Sequence, residues 1–168
     1  MDGKETIKKY EFTGETKQIG VFKDITIRRI RATAEFGKVK LGDLGGWIEK
    51  EENLSMKNDA WVYGNAEVYG DAKVYGNAKV CGAAEIYKIN HFLAVGPIGS
   101  RDDFTTFYRD KNKEITVKCG CFLGKIDEFL EKVQQTHGSS RHAAAYRAAA
   151  ELAKTQIDVG RDKGKKGE

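Results

Sequence analysis

From Met56 to His91 the apolar positions of the chain return every sixth residue. The units read MKNDAW, VYGNAE, VYGDAK, VYGNAK, VCGAAE and IYKINH. An aliphatic residue opens each one: Met56, Val62, Val68, Val74, Val80 and Ile86. A small residue stands four places later at Ala60, Ala66, Ala72, Ala78 and Ala84, and Asn90 breaks the rule in the last unit. Glycine recurs at Gly64, Gly70, Gly76 and Gly82, followed by Asn65, Asp71 and Asn77 after the first three. An interval of six fits neither the alternation of a half-buried strand nor the 3.6-residue period of a helix. A corner every six residues does fit, because Gly with Asn or Asp accepts positive φ.

Three such sides close one coil of 18 residues, so the pattern predicts two coils, 56–73 and 74–91. Met56 should then stack on Val74, Val62 on Val80 and Val68 on Ile86. Positions between the inward residues, Glu67 among them, should face outward. Trp61, Tyr63, Tyr69 and Tyr75 are expected to ring the coil, with Tyr63 near Cys81, Tyr69 near Tyr87 and Tyr75 near Lys57. Repeats bury their faces only against neighbours and about three are the usual minimum, so the flanks must cap both ends.

The flanks carry different patterns. KYEFTGETKQI and DITIRRIRATAEF have the β-branched and aromatic content of strands. Gly45 and Gly46 ahead of Trp47 predict a tight corner, with Trp47 in the core of a cap. After His91, HFLAVGPIGS, DDFTTFYRD and EITVKCGCF read as three strands, with a hairpin loop at 110–113. KIDEFLEKVQQTHG places Ile126, Phe129, Leu130 and Val133 on one helix face, and Gly138 stops it. Ser139 or Ser140 caps a second helix with Tyr146, Ala150, Ala153 and Ile157 as its apolar face. The expected fold is mainly β with a C-terminal α/β part. A β cap spans 1–55, the two-coil array 56–91, a βββαα module 92–158 and a disordered basic tail 159–168.

Composition narrows the classes. With 168 residues, 40% hydrophobic, the chain can pack a core, which excludes wholesale disorder. No run approaches the roughly 20 apolar residues of a membrane span, and MDGKETIKKYEF lacks the apolar stretch of a signal peptide. Three cysteines, Cys81, Cys119 and Cys121, argue against a disulfide scaffold and for a reducing cytoplasm. Of the net charge of +4, half lies in the last nine residues, where Arg161, Lys163, Lys165 and Lys166 face Asp162 and Glu168. A near-neutral body does not suit sequence-specific DNA binding. Arg28, Arg29 and Arg31 form its one basic cluster.

Three sets of residues bear on chemistry. Hexapeptide repeats raise acyl transfer, with a histidine as general base. None of His91, His137 and His142 lies in a long extruded loop, and two coils offer little groove for coenzyme A. Cys119 and Cys121 have no second cysteine pair, whereas zinc takes about four ligands. Strand alternation would place both on one buried face, so no metal and no cofactor is expected. The segment Gly96–Arg101 is the anion candidate. Gly99 and Ser100 offer backbone N–H groups, Arg101 a forked donor, and Thr106 and Arg109 extend the set along the next strand.

KYEFTGET, RRIRATAEFGKVKLGDLGGWIE and ENLS ahead of the VYGNA units resemble a family of phage and prophage hexapeptide-repeat proteins, over about residues 9–90. GPIGSR and CGCF resemble a C-terminal module of other phage proteins. The resemblance implies a left-handed parallel β-helix and a viral or mobile-element origin. The expected function is therefore non-catalytic binding in the host cytoplasm, as counter-defence. The protein would sequester a nucleotide second messenger or grip a host defence protein. An acyltransferase and a structural or scaffold phage protein are the competing classes. Trp61, Tyr63, Tyr69 and Tyr75 are the expected contacts of a homo-oligomer, a trimer or a dimer.

Overall fold

The computed structural model describes residues 7–160; of the tail expected over 159–168, Val159 is packed against the helical core, and residues 161–168 lie outside the described residues. The chain is mainly β with two helices at its C-terminal end. β1 (Tyr10–Ile19) and β2 (Ile25–Ala32) form a hairpin, and β3 (Leu44–Ile48) pairs antiparallel with β2. Along β2, Ile27, Ile30 and Ala32 turn inward. The register slips between Arg29 and Arg31, which accounts for the three-residue step from Ile27 to Ile30.

β3 then changes partner type. On its other edge it pairs parallel with β5 (Glu67–Val68), and β5 pairs parallel with β7 (Glu85–Ile86). Gly45 and Gly46 therefore lie in a strand and not at a corner. Their reason is close approach. A Cβ at Gly45 would meet Ile30 and Trp61 side chains at 2.7 Å, and one at Gly46 would meet the Ala66 carbonyl at 2.7 Å.

A second row stacks β4 (Trp61–Val62) on β6 (Lys79–Val80), and a third joins Leu54 to Val74. Val62 over Val80 and Val68 over Ile86 follow the expected 18-residue offset. Met56 does not stack on Val74. Leu54 does, because the stretch from Leu54 to Val62 is two residues longer than the other sides. The stack also starts earlier, at Trp47 and Ile48, inside the segment read as cap. Ile48, Leu54, Val62, Val68, Val74, Val80 and Ile86 are buried beside the five repeat alanines. Phe92, six residues beyond Ile86, continues the series into β8 (Phe92–Ile98).

Two outward assignments are corrected. Trp61 is 1% exposed, edge-on to Tyr10 and Phe36 at 6.2 and 5.3 Å, so it is core and not an interface. Glu67 is 4% exposed, with Lys17 at 2.8 Å and Lys111 at 3.3 Å on the same carboxylate oxygen.

Both ends of the stack are closed by the flanks. At the first end Tyr10 donates to the Leu54 carbonyl (2.8 Å), and Lys9 Nζ donates to the carbonyls of Ala60 (2.8 Å) and Asn58 (3.0 Å). Burial lowers the Lys9 ammonium to about 8, still protonated at neutral pH. The basic cluster is occupied here: Arg28 holds the Glu49 carbonyl, Arg29 the Gly45 carbonyl, and Arg31 pairs with Glu11.

At the other end lies a four-stranded antiparallel sheet ordered β11-β10-β9-β8, with β9 (Asp103–Arg109), β10 (Ile115–Cys119) and β11 (Phe122–Lys125). β9 is buried on both faces from Thr105 to Arg109. Thr106 Oγ1 accepts the Lys79 N–H (3.1 Å). Tyr108 Oη accepts the Cys81 N–H (3.2 Å) and donates to the Cys81 carbonyl (2.9 Å). Phe107 faces the opposite way, into a core with α1 (Ile126–His137) and α2 (Arg141–Gln156). Gly138 ends α1 at φ +57°, and Ser140 Oγ caps α2 by accepting the Ala143 N–H.

Candidate functional site

The site is a pocket of about 260 Å³ between two strand turns and α1. The β8–β9 turn contributes Ser100 and Arg101, and the start of β9 contributes Asp103. The β10–β11 turn contributes Cys119, Gly120, Cys121 and Phe122. α1 contributes Phe129, Lys132, Val133, Thr136 and His137, a spacing of three and four that keeps them on one helix face. Tyr146 of α2 closes the back.

Each turn is built for this approach. Gly99 is buried at φ +83°, and a Cβ there would overlap the Tyr146 hydroxyl. The absence of a side chain lets the β8–β9 turn lie on α2. Cys119 pairs with Phe122, so Gly120 and Cys121 form a two-residue hairpin loop, with Gly120 at φ +57°. A fourth strand, β11, thus follows directly, and the cysteines flank a hairpin tip instead of sharing a buried strand face. Cys119 is half-buried and accepts from Thr105 Oγ1 at 3.3 Å, while Cys121 is exposed. The Arg101 guanidinium reaches over this tip, where a Cβ on Gly120 would meet Nη1 at 3.8 Å.

The floor is aromatic and the rim is charged. Tyr146 lies edge-on to Phe129 at 5.7 Å and tilted against His137 at 5.5 Å. Burial, with Cys119 beside it, pushes the Tyr146 hydroxyl up to about 12, so it stays neutral. Arg101 and Lys132 are exposed cations on opposing elements. Asp103 is the one carboxylate among the lining residues, and its Oδ1 accepts the Phe104 N–H at 2.7 Å.

Of the residues read from sequence, Ser100 and Arg101 line this pocket, and Gly99 lies buried beside it against the Tyr146 hydroxyl. Thr106 and Arg109 do not line it. Thr106 faces the coil, as β9 alternation requires. Arg109 lies at the far end of β9, six residues past Asp103 and roughly 20 Å along an extended strand. It is 3% exposed, pairs with Glu85 at 2.9 Å and lies over the Tyr87 ring at 5.1 Å. Asp103, Phe122, Lys132, Thr136, His137 and Tyr146 were not legible as site residues. The signal available was the 129, 132, 133, 136, 137 face of α1, beside the apolar face through Ile126 and Leu130.

The histidines separate. His91 is buried, and its Nδ1 accepts the N–H groups of Tyr87 (3.1 Å) and Lys88 (3.3 Å). Burial, then Arg109, lowers it to about 4, so it is a neutral structural acceptor. His137 and His142 lie 5.9 Å apart. Among the described residues, no three His, Cys, Asp or Glu side chains are grouped to hold a metal ion. Among the outward tyrosines, Tyr63 is half-buried against the core, Tyr69 stacks on Tyr87 at 5.2 Å, and Tyr75 is exposed and edge-on to Phe92. No helix among the described residues is long and apolar enough to cross a membrane.

No family model matches the chain. It is similar to a protein of Escherichia coli (strain K12), the uncharacterized acetyltransferase YdcK, at 31% identity over 62 residues. That stretch is 34% of this chain, and the chain spans 19% of the length of this curated relative.

Proposed function

We propose that the chain is a non-catalytic, phage-encoded binding protein that acts against host antiviral immunity by capturing a small anionic nucleotide signal. The supporting observation is the pocket itself. Arg101 and Lys132 line one pocket together with Phe122, Phe129 and Tyr146. An anionic head with a ring attached satisfies both features. The action belongs in the host cytoplasm, where its three free cysteines stay reduced.

The scaffold in this proposal is a short left-handed parallel β-helix. The 18-residue register, the three stacked rows and the positive-φ glycines at Gly64, Gly70, Gly76 and Gly82 support it. Self-association into a trimer or dimer is part of the same proposal, with Tyr75, 59% exposed, as its most available contact. Light scattering tests it, and an 18.7 kDa monomer at micromolar concentration overturns it.

The capture itself is tested by mass spectrometry of small molecules released from purified, heat-denatured protein. An anionic nucleotide in stoichiometric amount is the expected result. Release of no anion, with no protection of phage in cells expressing the chain, overturns the proposal. The similarity to YdcK favours one second reading, acyl transfer on the repeat scaffold. Saturable binding of acetyl-coenzyme A by the purified chain, with turnover on an added amine or alcohol, would select it.

A further inference from the structure

We infer that the pocket takes a single mononucleotide unit whose base carries an exocyclic amine, held between the β8–β9 turn and α1. The inference rests on the capture reading and names its ligand. Three features of the site specify it.

The first is the pair of cations. Arg101 and Lys132 stand on different elements that line one pocket. A single phosphate can take the Arg fork and the Lys point charge together. Both side chains are exposed, so neither serves the core.

The second is the acid. Asp103 shares the lining with those cations. Its Oδ1 accepts the Phe104 N–H, and its Oδ2 has no partner among the described residues. A free carboxylate oxygen repels a second anionic group and accepts from an amine. The ligand is therefore anionic at one end and a donor at the other.

The third is the floor and its size. Phe122, half-buried, offers aromatic surface to a base, with the buried Tyr146 behind it, and stacking is sequence-tolerant, so the amine and not the ring supplies selectivity. About 260 Å³ lies just below the usual size of ligand pockets, roughly 300–1,000 Å³. That suits one nucleotide unit and leaves the long arm of coenzyme A outside.

Calorimetric titration of the full chain tests this with five probes: adenosine, cytidine and inosine monophosphates, adenosine, and inorganic phosphate. Adenosine and cytidine monophosphates should bind. Adenosine should be weaker by about tenfold or more, because both charge-assisted contacts are lost. Inosine monophosphate should also be weaker, because a carbonyl then faces Asp103. Lys132→Ala should weaken adenosine monophosphate by about tenfold with an unchanged melting temperature, and Asp103→Asn should bring inosine monophosphate level with it. Equal binding of all three monophosphates, or an unaffected Lys132→Ala, overturns the inference and leaves anion capture standing. Tight binding of phosphate alone does the same. No heat from any probe overturns the inference. If a different anion is still recovered from the denatured protein, capture survives; if nothing is recovered, both fall.

Discussion

Replacing Tyr108 with Phe removes one oxygen and should destabilise the whole chain. Tyr108 is fully buried, and its hydroxyl both accepts the Cys81 N–H at 3.2 Å and donates to the Cys81 carbonyl at 2.9 Å. Cys81 lies just past β6, on the last coil, where no further repeat offers a partner. The ring of Phe fills the same space, so no cavity forms and packing is preserved. Two hydrogen bonds disappear, each worth about 0.5–1.5 kcal/mol, and a partly buried N–H and C=O are left unmade at about 1–3 kcal/mol. The expected cost is about 2–4 kcal/mol, a large share of a domain stability of about 5–15 kcal/mol. For a chain of this size that lowers the melting temperature by roughly 5–15 °C. Urea unfolding followed by circular dichroism gives the value directly. Tyr75→Phe, at an exposed position, is the control and should change stability by less than about 0.5 kcal/mol. A Tyr108→Phe variant as stable as that control would refute the claim that β9 side chains terminate the coil.

Four further outcomes follow from the same geometry. Glu67→Ala strands Lys17 and Lys111 and should cost about 1–2 kcal/mol by urea unfolding, an effect that shrinks at high salt because both lysines are partly exposed. Val68→Asp places an unpaired carboxylate at a fully buried position and should yield insoluble or unfolded protein; a soluble, cooperatively melting variant would contradict the register. His91 titrates near 6.5 unfolded and about 4 folded, so below pH 6.5 the unfolded chain takes a proton that the folded chain refuses. Stability should fall by about 3 kcal/mol between pH 6.5 and pH 4, and unfolding midpoints of His91→Gln should show a flatter profile across that window. Gly99→Ala combines positive φ with overlap of the Tyr146 hydroxyl and should cost about 2–4 kcal/mol, measured by thermal melting, while weakening any ligand of the pocket.

The repeat was legible because its period is a packing rule. Each aliphatic residue points inward at a fixed interval, so Val62, Val68, Val74, Val80 and Ile86 could be placed without tertiary knowledge. Met56 fitted the interval and still missed the stack, because a side of the first turn holds two extra residues and Leu54 takes its place. Glu67 and Trp61 were misplaced for a related reason. Six-residue periodicity names the inward positions, but the outer face is exposed only where no flank covers it. Here the β1–β2 hairpin brings Lys17 and Tyr10 over that face. The pocket was half legible. The glycines and arginine of the β8–β9 turn could be read locally as an anion-binding candidate. Lys132 and Asp103 join the same pocket lining only when β9, β10 and α1 are assembled, and no spacing along the chain encodes that meeting.

β9 is where the two halves of the molecule become one problem. Its alternation sends Thr106 and Tyr108 into the coil and Thr105 and Phe107 toward the helices. A strand buried on both faces reads as a continuous apolar run in a parallel sheet, but DFTTFYR is half polar. Its polar groups are there because the open end of a coil presents unpaired backbone N–H and C=O groups, which Thr106, Tyr108 and Arg109 satisfy. That requirement explains how so short a stack persists when about three repeats are the usual minimum. It also ties the pocket to the coil. Thr105 holds Cys119 at the pocket wall, while its neighbour Thr106 holds Lys79 in the last coil. Any shift of β9 moves both. A ligand that fixes the β8–β9 turn against α1 should therefore raise the unfolding temperature of the coil as well as of the helices, in one cooperative transition. Two separate transitions, with only the helical one shifted by ligand, would show that β9 joins the halves without coupling them.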